Sequence, residues 1–103
     1  MSSDWQFGIA YNAAFKLCTI LLRTAGYRTS GGGSHHITTF ALMPKILGNQ
    51  YKDDADYLDA CRKKRNIVEY DMVGGATDQD AAELREFVED FKSIVQKWVS
   101  AHR

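Results

Sequence analysis

The chain has 103 residues, enough for one domain with a real core but too few for a core plus an elaborate enclosed active site. Thirteen basic and thirteen acidic side chains cancel, which argues against strong non-specific attachment to a polyanion and favours self-association. At 45% hydrophobic and 25% charged the composition is that of an ordinary globular chain, and no run approaches the roughly eighteen apolar residues that span a bilayer, so no membrane contact is expected.

The opening segment, Met1 to Gln6, carries no basic cluster, and the apolar stretch after it is broken by Asn12, Lys16 and Arg23, so no signal peptide is expected. Phe7, Ala10, Ala14, Leu17 and Leu21 share one helical face and predict a first helix from about Asp4 to Ala25, capped by Ser3 or Asp4 and stopped by Gly26. Tyr27 to Gly33 reads as a loop, because Gly31, Gly32 and Gly33 together cannot hold a helix. Ser34 then caps a second helix that turns Ile37, Phe40, Ala41 and Leu47 inward and ends at Gly48. Pro44 lies inside it, removes one backbone hydrogen bond and should bend the axis.

A third helix is predicted from about Asp53 to Val73, stopped by Gly74 and Gly75. The fourth starts at a Thr77 or Asp78 cap, has Asp78, Asp80 and Glu83 near its first turn, and closes with Lys97, His102 and Arg103, so both ends suit the helix dipole. Its stripe of Leu84, Phe87, Phe91, Ile94 and Trp98, with Val88 and Val95 beside it, is the clearest amphipathic pattern in the chain. No repeat is present and nothing alternates at period two for long enough to be a strand, so the expected fold is all-α: an up-and-down four-helix bundle in a single domain spanning 1–103. Cys18 and Cys61 lie on apolar stripes without metal-ligand spacing and read as core thiols of a reducing cytoplasm.

Arg65 is the residue that needs explaining. It interrupts a stripe of Leu58, Cys61, Val68 and Met72, spaced so that all five face one way, and an unpaired buried charge is expensive. Asp59, Arg62, Asn66 and Tyr70 form a polar stripe next to it, and Glu69 lies one turn after Arg65. Arginine, asparagine and tyrosine together can hold phosphate, stack on a base or grip a carboxylate. The alternative is structural: Arg65 reaches the surface or pairs with Glu69, while Arg62, Lys63 and Lys64 are a solvated helix face. His35 and His36 open the second helix beside free backbone N–H groups, a place for an anion, or they merely follow a glycine hinge. As a metal site they lack partners, since Thr38, Thr39 and Phe40 occupy the positions one turn on. The glycines are no phosphate-binding P-loop, because no Lys-Ser or Lys-Thr follows.

Three segments together, Gly26-Tyr27-Arg28, His35-His36 and the run Arg-Lys-Lys-Arg-Asn-Ile-Val-Glu-Tyr ending at Tyr70, resemble the HEPN superfamily, and the likeness extends over nearly the whole chain. They look most like its small stand-alone bacterial members in toxin–antitoxin and mobile-element settings. The resemblance implies a homodimer whose motif helices line a shared cleft, with Arg65, Asn66 and Tyr70 as the candidate catalytic set and Arg62, Lys63, Glu69, His35 and His36 around the substrate. Catalytic relatives cleave single-stranded RNA without a metal, so neither metal nor cofactor is expected. The sequence departs from the pattern at Tyr70, where the motif has histidine, and a phenol with an ordinary pKa of about 10 is a poor general base. Two roles follow: an element that binds RNA or a nucleotide, with or without cleaving it, or a module that docks a partner protein such as a minimal nucleotidyltransferase. One of the histidines at the head of the second helix could stand in for the missing one if the two helices pack together.

Overall fold

The computed structural model of the chain describes residues 3–27, 35–70 and 76–102, the side chains of 35 and 66–70 excepted. Among these residues the structure is entirely helical: α1 (Ser3–Thr24), α2 (His35–Leu47), a short 3-10 turn (Asn49–Tyr51), α3 (Lys52–Tyr70) and α4 (Asp78–His102). The expected stops at 74 and 75, the Ser34 cap, and the inward positions Val68 and Met72 lie outside the described residues.

Each described boundary has a local cause. At the end of α1, Gly26 takes a φ of 92°, where a side chain would be strained. The Tyr27 N–H then reaches the Leu22 carbonyl at 2.9 Å and the Gly26 N–H the Arg23 carbonyl at 3.1 Å, the paired bonds of a Schellman motif. At the head of α4, the Asp80 N–H donates to Thr77 Oγ1 and the Thr77 N–H to Asp80 Oδ2, each at 3.0 Å, so Thr77 is the cap and Asp80 its reciprocal partner. At its tail, His102 Nδ1 meets the Trp98 carbonyl at 2.8 Å while the two rings stack. His102 is therefore used by its own helix end. The helix α2 runs on through Pro44, whose carbonyl accepts the Gly48 N–H at 2.8 Å.

Helix α1 is central and packs against all three others, most extensively against α4. It contributes Phe7, Tyr11, Ala14, Cys18 and Leu21 to a core completed by Phe40 and Met43 of α2, Leu58 and Cys61 of α3, and Leu84, Phe91 and Val95 of α4. Both cysteines are buried free thiols, as expected, and burial pushes them up to about 12 for Cys18 and about 11 for Cys61.

Three expectations change. In α2, Ile37 is 46% exposed and Ala41 is also outside, while Thr39, Phe40 and Met43 point inward. One residue along a helix is a rotation of about 100°, and the inward stripe is the neighbouring one. Asp4 caps no part of α1; its carboxylate accepts the Ala76 N–H at 3.0 Å, and the Ser3 hydroxyl bonds the Asp78 carboxylate. The heads of α1 and α4 thus meet, so these neighbours run in the same direction, whereas a strictly up-and-down order would oppose them. Helix α3 does oppose α4, since Tyr57 packs on Phe87 and, further along α3, Lys64 pairs with Asp80 near the head of α4.

Candidate functional site

The arginine stripe of α3 meets α1 at Tyr11. The guanidinium carbon of Arg65 lies 5.4 Å from the centre of the Tyr11 ring, within the range of a cation–π contact. Arg65 is half-buried and Tyr11 is 1% exposed, so the guanidinium sits on a ring that belongs to the core. That is a partner for the charge in the apolar stripe. A guanidinium stacked in this way keeps its N–H groups in its own plane, the geometry that grips phosphate or carboxylate edge-on.

The same tyrosine holds α2. Its hydroxyl lies 2.7 Å from His36 Nδ1, and the two rings are nearly parallel with centres 5.8 Å apart. Burial pushes the Tyr11 phenol well above the usual tyrosine range, against the opposing pull of Arg65 and then Arg62. The phenol therefore stays protonated, and it can donate to Nδ1 or accept from it according to the imidazole's tautomer. Phe15 stacks on His36 with centres 3.8 Å apart, and Phe40 meets Tyr11, Phe15 and His36 edge-on. His36 is thus a half-buried imidazole clamped in an aromatic box, its ring seated by Tyr11 and Phe15 of α1.

Of the residues expected at the site, the structure therefore brings Arg65 and His36 to one side chain. Arg62 and Lys63 both turn to Asp59, at 2.9 and 3.7 Å, so one carboxylate partly neutralises two candidate substrate contacts. Lys64 is drawn away to Asp80, 3.0 Å distant across to α4, where the Thr77 amide and then Lys64 hold that carboxyl below the usual range. The side chains of Asn66, Glu69, Tyr70 and His35 lie outside the described residues. Among those described, no group of three or more histidine, cysteine, aspartate or glutamate side chains could hold a metal ion, and no helix is long and apolar enough to cross a membrane.

The residue that joins the two halves, Tyr11, is absent from the set read off the sequence. A signal for it exists: Phe7, Tyr11, Ala14, Cys18 and Leu21 follow at spacings of four, three, four and three, as regular as the stripe through Ala10 and Leu17. No family model, curated protein or solved structure matches this chain.

Proposed function

We propose that this protein is a HEPN-like helical protein that binds RNA or a nucleotide through the Arg65 end of α3, acting as a homodimer. The observation that carries the reading is the seat of the half-buried Arg65 guanidinium over the Tyr11 ring, whose hydroxyl also meets His36. A guanidinium seated in this way suits a phosphate. Labelled single-stranded RNA and mononucleotides, titrated against the wild type and Arg65→Ala with anisotropy as readout, test it. Binding should fall about tenfold or more in the variant while the helical circular dichroism is kept. Equal binding by both proteins would remove Arg65 from the function and leave it a structural residue.

The second reading, a metal-independent ribonuclease, is favoured by one observation: His36 and Arg65 contact the same tyrosine, so α2 brings an imidazole within one side chain of the motif arginine. Histidine is the side chain best suited to proton transfer near neutrality. Under this reading RNA is cut in EDTA, the cleavage persists in Tyr70→Phe, and it is lost in His36→Ala. Cleavage that persists without His36 refutes it, and intact RNA with the wild type leaves the binding role.

A further inference from the structure

A second surface lies on the far side of α1. Ile9 and Tyr11 are two residues apart and so about 200° apart around the helix, which puts Ile9 opposite the Arg65 platform. There α1 and α4 form an open groove lined by Gln6, Ile9, Ala13, Ala82, Arg85 and Glu89. Ile9 is 48% exposed and Trp5, one turn before it, 57%.

We infer that this groove is where a second copy of the chain docks, with the two α4 helices antiparallel across a two-fold axis level with the turn 85–89. The argument is self-complementarity. A two-fold interface is the same patch twice, so the patch must contain both members of every pair it makes. This one does: the protruding Ile9 stands beside a hollow floored by Ala10, Ala13 and Ala82, and Arg85 stands one turn from Glu89 on the same face of α4. Arg85, Glu86 and Glu89 are exposed, and none of them pairs with another described residue. Antiparallel approach sets Arg85 against the partner's Glu89 and Glu89 against the partner's Arg85, while Ile9 of each copy enters the alanine hollow of the other. A foreign partner would need only one side of each pair. The net charge of zero adds no repulsion between copies.

This inference does not rest on the role given to Arg65, and its test keeps the two apart. Sedimentation velocity over a concentration series should show a monomer–dimer equilibrium in the micromolar range. Ile9→Arg should weaken it roughly a hundredfold, because the change acts twice in each dimer. Arg85→Glu and Glu89→Arg should each weaken it about tenfold, and the Arg85→Glu, Glu89→Arg double variant should restore it, because the reversed charges again oppose each other. All three positions are outside the core, so circular dichroism should be unchanged, and Arg65-dependent RNA binding, measured on each variant, reports separately on the other surface. A wild type that stays monomeric to about 100 μM, single charge variants that dimerise normally, or a double variant no better than the singles would each overturn the proposal.

Discussion

Removing the Tyr11 hydroxyl is the sharpest perturbation of this molecule, because Tyr11→Phe deletes one hydrogen bond and keeps the ring that carries Arg65. Tyr11 is 1% exposed and its hydroxyl lies 2.7 Å from Nδ1 of the half-buried His36, so in the variant the imidazole loses this partner. Losing a partly buried hydrogen bond costs about 0.5–1.5 kcal/mol, and the cation–π contact is untouched. We expect a loss of about 1.5 kcal/mol, which for a domain of this size lowers the Tm by roughly 6–12 °C. Urea unfolding followed by far-ultraviolet circular dichroism measures it. His36→Phe alone should cost a similar amount by stranding the phenol, whereas Tyr11→Phe with His36→Phe should cost less than the sum, because neither polar partner remains to be stranded. The cycle should therefore give a coupling of about 1 kcal/mol or more. A Tyr11→Phe variant within about 0.3 kcal/mol of the wild type, or strictly additive singles, would show that the phenol does not hold α2 to α1.

Three further expectations follow from the helix ends and the cation platform. Asp80→Ala removes the Thr77 amide's acceptor and the Lys64 partner together, and should cost about 1–2 kcal/mol at pH 7 in denaturant unfolding. Because the folded state holds the Asp80 carboxyl below its usual range, its contribution is present above the unfolded value near 4 and is lost as the pH falls through the folded value. The gap between wild type and Asp80→Asn should accordingly close in acid, and a gap constant from pH 7 to about pH 2 would contradict the assignment. Gly26→Ala meets open space but a φ of 92°, so calorimetry should show a purely conformational penalty of about 1 kcal/mol, with α1 otherwise intact. Tyr11→Leu should cost several kcal/mol more than Tyr11→Phe and should also weaken RNA binding, since it removes the ring beneath Arg65; binding unchanged in a folded Tyr11→Leu protein would separate Arg65 from its platform.

The helices were legible because their ends are written locally. Gly26, Gly48 and Thr77 mark boundaries through backbone freedom and side-chain capping, which involve only neighbours in sequence. The face of α4 was legible for a related reason: its apolar stripe is much more marked than any competing one, and Leu84, Phe91 and Val95 are indeed buried. In α1 two stripes compete, through Ala10 and Leu17 or through Tyr11 and Cys18, and the choice is made by what packs against them. His36, Phe40 and Arg65 all come from other helices, so the preference for Tyr11 is a tertiary fact. The α2 face slipped for the same reason. Arg65 stood out in the sequence as a charge in need of partners, and one of them, the Tyr11 ring, lies on a different helix and carries no charge to match. The parallel heads of α1 and α4 leave no local trace at all, because nothing in either helix states its direction relative to the other.

The meeting of those two heads bears on how the chain reaches its fold. Asp4 and Ala76 are 72 positions apart, so the bond that seats the head of α1 closes a loop containing most of the sequence. During synthesis α1 emerges well before α4, yet α4 supplies its principal packing surface. Until then the apolar side that Leu84, Phe91 and Val95 will cover has only α2 and α3 for shelter. Such late, long-range closure slows folding relative to a bundle built from successive hairpins and leaves partly made chains adhesive. Truncation within α4 should therefore produce aggregation rather than a smaller folded protein.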